Sequence, residues 1–159
     1  MSFLAPRVAH FGTSSAFTIA CVATLLGSPI LPQGTIKAEQ KISATSGAFA
    51  GDLDPGDSFG VSVASLGDLD GDGIIDLAVG AREDDDGGTG RGAVWILFLN
   101  PDGTVRDEQK ISQTAGGFGG ALNDTDWFGR AVAAPGDIDG DGVQDLAVGA
   151  PLDNDGGDN

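Results

Sequence analysis

Asp68-Leu69-Asp70-Gly71-Asp72-Gly73-Ile74-Ile75-Asp76 decides how this chain is read, and the pattern returns as Asp137-Ile138-Asp139-Gly140-Asp141-Gly142-Val143-Gln144-Asp145. Carboxylates stand at positions 1, 3, 5 and 9 of each stretch, and glycine at position 6. On a tightly curled loop alternate aspartates point inward, and glycine lets the backbone turn with φ > 0. Calcium takes about six to eight hard oxygen ligands in a flexible shell, which such a loop supplies. The spacing therefore predicts two calcium sites. Asp68, Asp70, Asp72 and Asp76 form one, and Asp137, Asp139, Asp141 and Asp145 the other. The backbone carbonyl at position 7, Ile74 or Val143, is expected to face the ion. Asp76 and Asp145 open the next strand and are placed to close the shell with both oxygens.

Other calcium loops with the same opening spacing do not fit the rest of the pattern. An EF-hand ends on Glu at position 12, where this chain has Val79 or Val148, and no helical period flanks either loop. Thrombospondin-type loops need cysteines, which the repeats lack. Magnesium prefers few protein ligands and keeps its waters, so calcium is the expected ion. A solvated acidic turn is the weaker reading, because four crowded aspartates repel one another until a cation neutralises them.

The loops sit inside a longer repeat. Residues 32–90 align without a gap on 101–159 at an offset of about 69 residues, with roughly 34 identities in about 59 pairs, a regularity that marks arrays and propellers. Glu39-Gln40-Lys41-Ile42-Ser43 returns as Glu108-Gln109-Lys110-Ile111-Ser112, and Phe59-Gly60 as Phe128-Gly129.

Each unit reads as four short strands. Residues 61–66 alternate apolar and small polar side chains, and 77–81 form a short apolar run. Residues 92–99 are apolar on both faces and so are expected to be covered on both by neighbouring sheets. Pro101-Asp102-Gly103 signals a tight turn before a fourth strand at 104–112. The chain is all-β, with tandem four-stranded blades of a β-propeller and calcium-binding hairpin loops between the first and second strands. The expected domains are a first repeat at 32–100 and a second, truncated repeat at 101–159. A propeller closes with about four or more blades, and this chain holds fewer than two. It is expected to need further blades or to self-associate.

Composition narrows the partners. Twenty-four acidic residues face 8 basic ones, and the net charge is −16. That field repels nucleic acid and anionic membrane surfaces and suits divalent cations. Insertion of the repeats into a membrane is not expected. His10 is the only histidine, no Ser/His/Asp set exists, and the paired carboxylates serve better as ligands, so catalysis is not expected.

Residues 1–31 differ from the rest. Arg7 and His10 precede an apolar run at 16–26, followed by Gly27, Ser28 and Pro29, the order of an export signal. The run is about 11 residues, too short to span a bilayer. Cys21, the only cysteine, lies within it, so the repeats have no disulfide framework.

Phe59-Gly60, the Asp loop and Gly80-Ala81, followed by Phe128-Gly129, the second loop and Gly149-Ala150-Pro151, resemble the FG-GAP repeat of integrin α-type propellers and many secreted bacterial proteins. The first copy departs at Arg82, where proline is expected. The resemblance implies strands A to D running outward from a central channel, with calcium in the A–B loops. It also implies an extracellular or cell-surface setting, and adhesion or recognition of a protein or glycan ligand. Carbohydrate binding and a non-catalytic appendage of a secreted enzyme are the alternative functions.

Phe59 and Phe128 read as core residues wedged between blades. Trp95 reads as core, whereas Trp127 replaces Ser58 of the other copy and is a candidate exposed ring able to stack on a sugar. Asp84-Asp85-Asp86 and Asp153-Asn154-Asp155 read as solvated loops rather than a second pair of ion sites.

Overall fold

A computed structural model describes residues 38–154. The leader at 1–31, with Cys21, and residue Asp155 of the second acidic run lie outside the described residues.

Six strands make up the described chain: β1 (Phe59–Gly67), β2 (Asp76–Ala81), β3 (Ala93–Leu99), β4 (Val105–Ile111), β5 (Ala131–Gly136) and β6 (Asp145–Gly149). The first four form one antiparallel sheet in the order β1-β2-β3-β4, and β5 and β6 form a separate hairpin. No element among the described residues is helical, and no helix is long and apolar enough to cross a membrane. The four-stranded meander has the form expected of a propeller blade. The turn read at Pro101-Asp102-Gly103 closes with the Gly103 amide donating to the Asn100 carbonyl at 2.9 Å.

β3 is apolar at every position, and the packing shows why. Trp95, Leu97 and Leu99 share one face with Val79, Ala81 and Val105, while Val94 and Ile96 join Ala78 and Leu66 on the other. The second face is covered by the β5–β6 hairpin through Val132, Leu146 and Val148, with Leu122 and Phe128 alongside. A sheet was expected over the first face as well. Instead that face is sealed by the segment preceding β1, whose Ile42 and Phe49 pack with Phe59 on Trp95, Leu97 and Leu99. A loop suffices because it brings two large apolar side chains, so burial does not require a further sheet.

The repeat also governs the aromatic packing. Phe49 lies 5.2 Å from Phe59, and its counterpart Phe118 lies 5.0 Å from Phe128. Both partners at 59 and 128 are buried, as the sequence led us to expect. Phe49 also meets Trp95 edge-on at 5.0 Å, which fixes Trp95 in the core.

Candidate metal centres

The β1–β2 connection and the β5–β6 connection carry the two Asp loops. Their shape comes from carboxylates that accept backbone N–H groups along the loop. Asp68 accepts from Gly71 and Gly73 at 2.8 Å each, Asp70 from Asp72 at 3.2 Å, and Asp72 from Ile74 at 2.8 Å. In the second loop Asp137 accepts from Gly140 and Gly142 at 2.7 and 2.9 Å, Asp139 from Asp141 at 3.1 Å, and Asp141 from Val143 at 2.7 Å. Gly73 and Gly142 have φ of 87° and 89°, the left-handed turn expected at position 6. No neighbouring atom bars a side chain at either, so backbone conformation alone selects glycine there.

The loops bring together three of the four predicted carboxylates. Asp68, Asp70 and Asp76 each offer an oxygen within 4.8 Å of the others, and Asp137, Asp139 and Asp145 repeat the arrangement. Such all-oxygen acidic donor sets fit a hard divalent cation. Asp72 and Asp141 stand outside the triads. Like the triad aspartates, each also accepts a loop amide, that of position 7, donated by Ile74 or Val143. The Ile74 side chain packs on the first-face core, whereas Val143 is exposed.

Asp76 is the anchor of the first triad. It is fully buried, its Oδ2 accepts from Leu69 N–H at 2.9 Å, and its Oδ1 accepts from Leu99 N–H at 3.1 Å. β3 thus holds the far side of a carboxylate that the first loop presents. Asp145 accepts from Ile138 N–H at 2.6 Å and is only half-buried.

A second acidic cluster lies at the opposite end of the sheet, where β2 turns into β3. Asp52, Asp54, Asp57, Asp84, Asp85, Asp86 and Lys110 line a pocket of about 270 Å3. The Asp84-Asp85-Asp86 run is not the wet loop its composition suggested. Asp84 is buried, with Lys110 Nζ at 2.8 Å from its Oδ1, while its buried Oδ2 has no hydrogen-bond partner. Burial lowers the Lys110 pKa, but the Asp84 and Asp86 carboxylates outweigh it and hold the amine above its usual value. Asp86 is held below the usual carboxylate range by hydroxyl donors from Ser112 and Thr114. Burial pushes Asp57 up to about 6, and the nearby Asp84 adds to the shift.

Trp127 is half-buried rather than open, with the Arg82 guanidinium 4.7 Å from its ring centroid. Arg82, which stands where the repeat pattern has proline, therefore has a packing partner in the next repeat.

The FG-GAP repeat family matches this chain at residues 59–97 and 128–159, the segments that carry the two loops. Both segments are FG-GAP repeats, and over part of its length the chain is distantly similar to integrin alpha chains. It is 44% identical to integrin alpha-5 of Xenopus laevis over 92 residues, covering 58% of this chain and 8% of that one. Integrin alpha-PS5 of Drosophila melanogaster shares 38% identity over 124 residues, 75% of this chain and 11% of its own length. Integrin alpha-4 of Xenopus laevis shares 34% over 140 residues, 80% of this chain and 13% of the relative. The chain thus spans about a tenth of these relatives.

Proposed function

We propose that each Asp loop binds one calcium ion and that the chain is a calcium-binding FG-GAP module of a secreted or cell-surface adhesion or ligand-recognition protein. The observation that carries the calcium reading is the convergence of Asp68, Asp70 and Asp76, repeated by Asp137, Asp139 and Asp145. Asp72 and Asp141, with the carbonyls of Ile74 and Val143, are the remaining ligands of the proposed shells. The cation neutralises carboxylates that otherwise repel one another across each loop. It also ties the β1–β2 loop to the β3 backbone through Asp76, whose oxygens are already fixed by Leu69 and Leu99.

The adhesive or recognition role and the extracellular setting rest on kinship to integrin alpha chains. No catalytic role is proposed. The glycan reading gains no support from Trp127, since Arg82 lies over its ring.

Thermal unfolding in calcium and in chelator tests the proposal. A ligand bound only by the folded state adds about 2.7 kcal/mol per site at a hundredfold excess over Kd. The melting temperature is expected to rise with calcium. A melt indifferent to chelator would reduce both loops to ordinary turns.

A further inference from the structure

The first loop already has a cation of its own. Arg106 stands on β4, and its Nη1 lies 2.5 Å from Asp72 Oδ2 while its Nη2 pairs with Asp70. The reach is built into the strand. Phe98 pairs with Asp107 and Leu99 with Val105, so β4 carries one extra residue at that step, and that residue is Arg106. A bulge of this kind re-aims a side chain. Val105 beside it remains buried in the core, so the strand is anchored while Arg106 leaves the ladder for the loop.

Asp70 is therefore asked to serve two cations, because it belongs to the metal triad and is also paired with the guanidinium.

We propose that Arg106 is an internal competitor of calcium at the first loop. This inference rests on the calcium reading above. Calcium entering the first triad must displace the guanidinium from Asp70 or tolerate its positive charge beside it, and both weaken binding. The guanidinium in turn holds the metal-free first loop in shape. A partly exposed pair to two carboxylates sets the effect at roughly three- to tenfold in calcium affinity.

The test uses the full chain with Asp139→Ala, which silences the second loop, and follows calcium binding at the first loop by calorimetry. Adding Arg106→Gln should tighten calcium roughly three- to tenfold. Arg106→Lys should fall between the two, because an ammonium pairs with one carboxylate at a time. Melts of the same proteins should show Arg106→Gln lowering stability in chelator and not in saturating calcium. Calcium affinity unchanged or weakened by Arg106→Gln, with the first loop still binding, overturns the competitor and leaves the calcium site standing. Absence of calcium binding in every variant overturns the site itself, and the competitor with it.

Discussion

The carbonyl oxygen of Gly129 occupies the space where a Cβ on Gly80 would stand. Gly80 is in β2, and Gly129 follows Phe128 in the next repeat, so the two repeats touch backbone to backbone at this point. The Ser62 hydroxyl donates to the same Gly129 carbonyl at 2.7 Å, which fixes the approach. The contact gives a physical reason for two glycines of the repeat pattern: one leaves space for its neighbour's carbonyl, and the other, at φ 83°, turns that carbonyl towards it.

Gly80→Ala is accordingly expected to destabilise the chain by about 1–3 kcal/mol or more, the usual cost of overpacking against a backbone that cannot yield. Gly119→Ala is the control, since an added Cβ meets nothing within 4 Å there. It should stay within about 0.5 kcal/mol of the native chain. Denaturant unfolding of the two variants makes the comparison. Equal stabilities would mean the repeats do not pack this closely.

The aspartates of one loop should not be equivalent. Asp70 is exposed and Asp76 is fully buried between two backbone donors. Asp70→Ala should remove most of the calcium-dependent stabilisation of the first loop, and in chelator should cost only its partly exposed pair with Arg106, below about 1 kcal/mol. Asp76→Ala also strands the N–H groups of Leu69 and Leu99, and should cost about 1–3 kcal/mol for each one left buried, with or without calcium. Melts of both variants in chelator separate the roles, and identical behaviour would contradict them.

Asp57 makes stability depend on pH in an unusual direction for a carboxylate. Its folded pKa, about 6, lies above the ordinary 3.8 because of burial and then of Asp84. The folded state therefore holds the proton more tightly than the unfolded one. Asp57's contribution to stability is full below about pH 4 and is lost as pH rises through about 6. Asp57→Asn, which keeps an acceptor for the Asp54 amide, should be more stable than the native chain at pH 7 and match it near pH 4. A difference that does not vary with pH, measured by melts in chelator, would contradict this.

Lys110 and Asp84 form the most enclosed ion pair among the described residues, with side chains 20% and 3% exposed. Lys110→Met leaves Asp84 buried without its cation, at a cost of about 3–5 kcal/mol. The double variant with Asp84→Leu should recover much of the loss. A loss below about 1 kcal/mol for Lys110→Met would show that water reaches Asp84 freely.

The strands and the loops were legible because their signals are local. Alternation at 61–66 and the unbroken apolar run ending at Leu99 are properties of neighbouring residues, and the turn at Gly73 follows from one residue's freedom. What the sequence concealed was long-range. Asp84-Asp85-Asp86 reads as wet until Lys110, on β4, is laid across it. Arg106 reads as a surface residue of a strand until the bulge turns it into the first loop. Phe49 and Phe118 were within reach, since the repeat copies one onto the other and each meets the phenylalanine that opens the FG pair.

Calorimetric titration of calcium into the metal-free chain tests the central claim, that the two Asp loops are calcium sites, most directly. Two ions per chain are expected, with affinities on the order of 10⁻⁴–10⁻³ M or somewhat tighter and magnesium clearly weaker. Asp70→Ala and Asp139→Ala should each remove one ion. No calcium-dependent heat, or magnesium held as tightly as calcium, would contradict it.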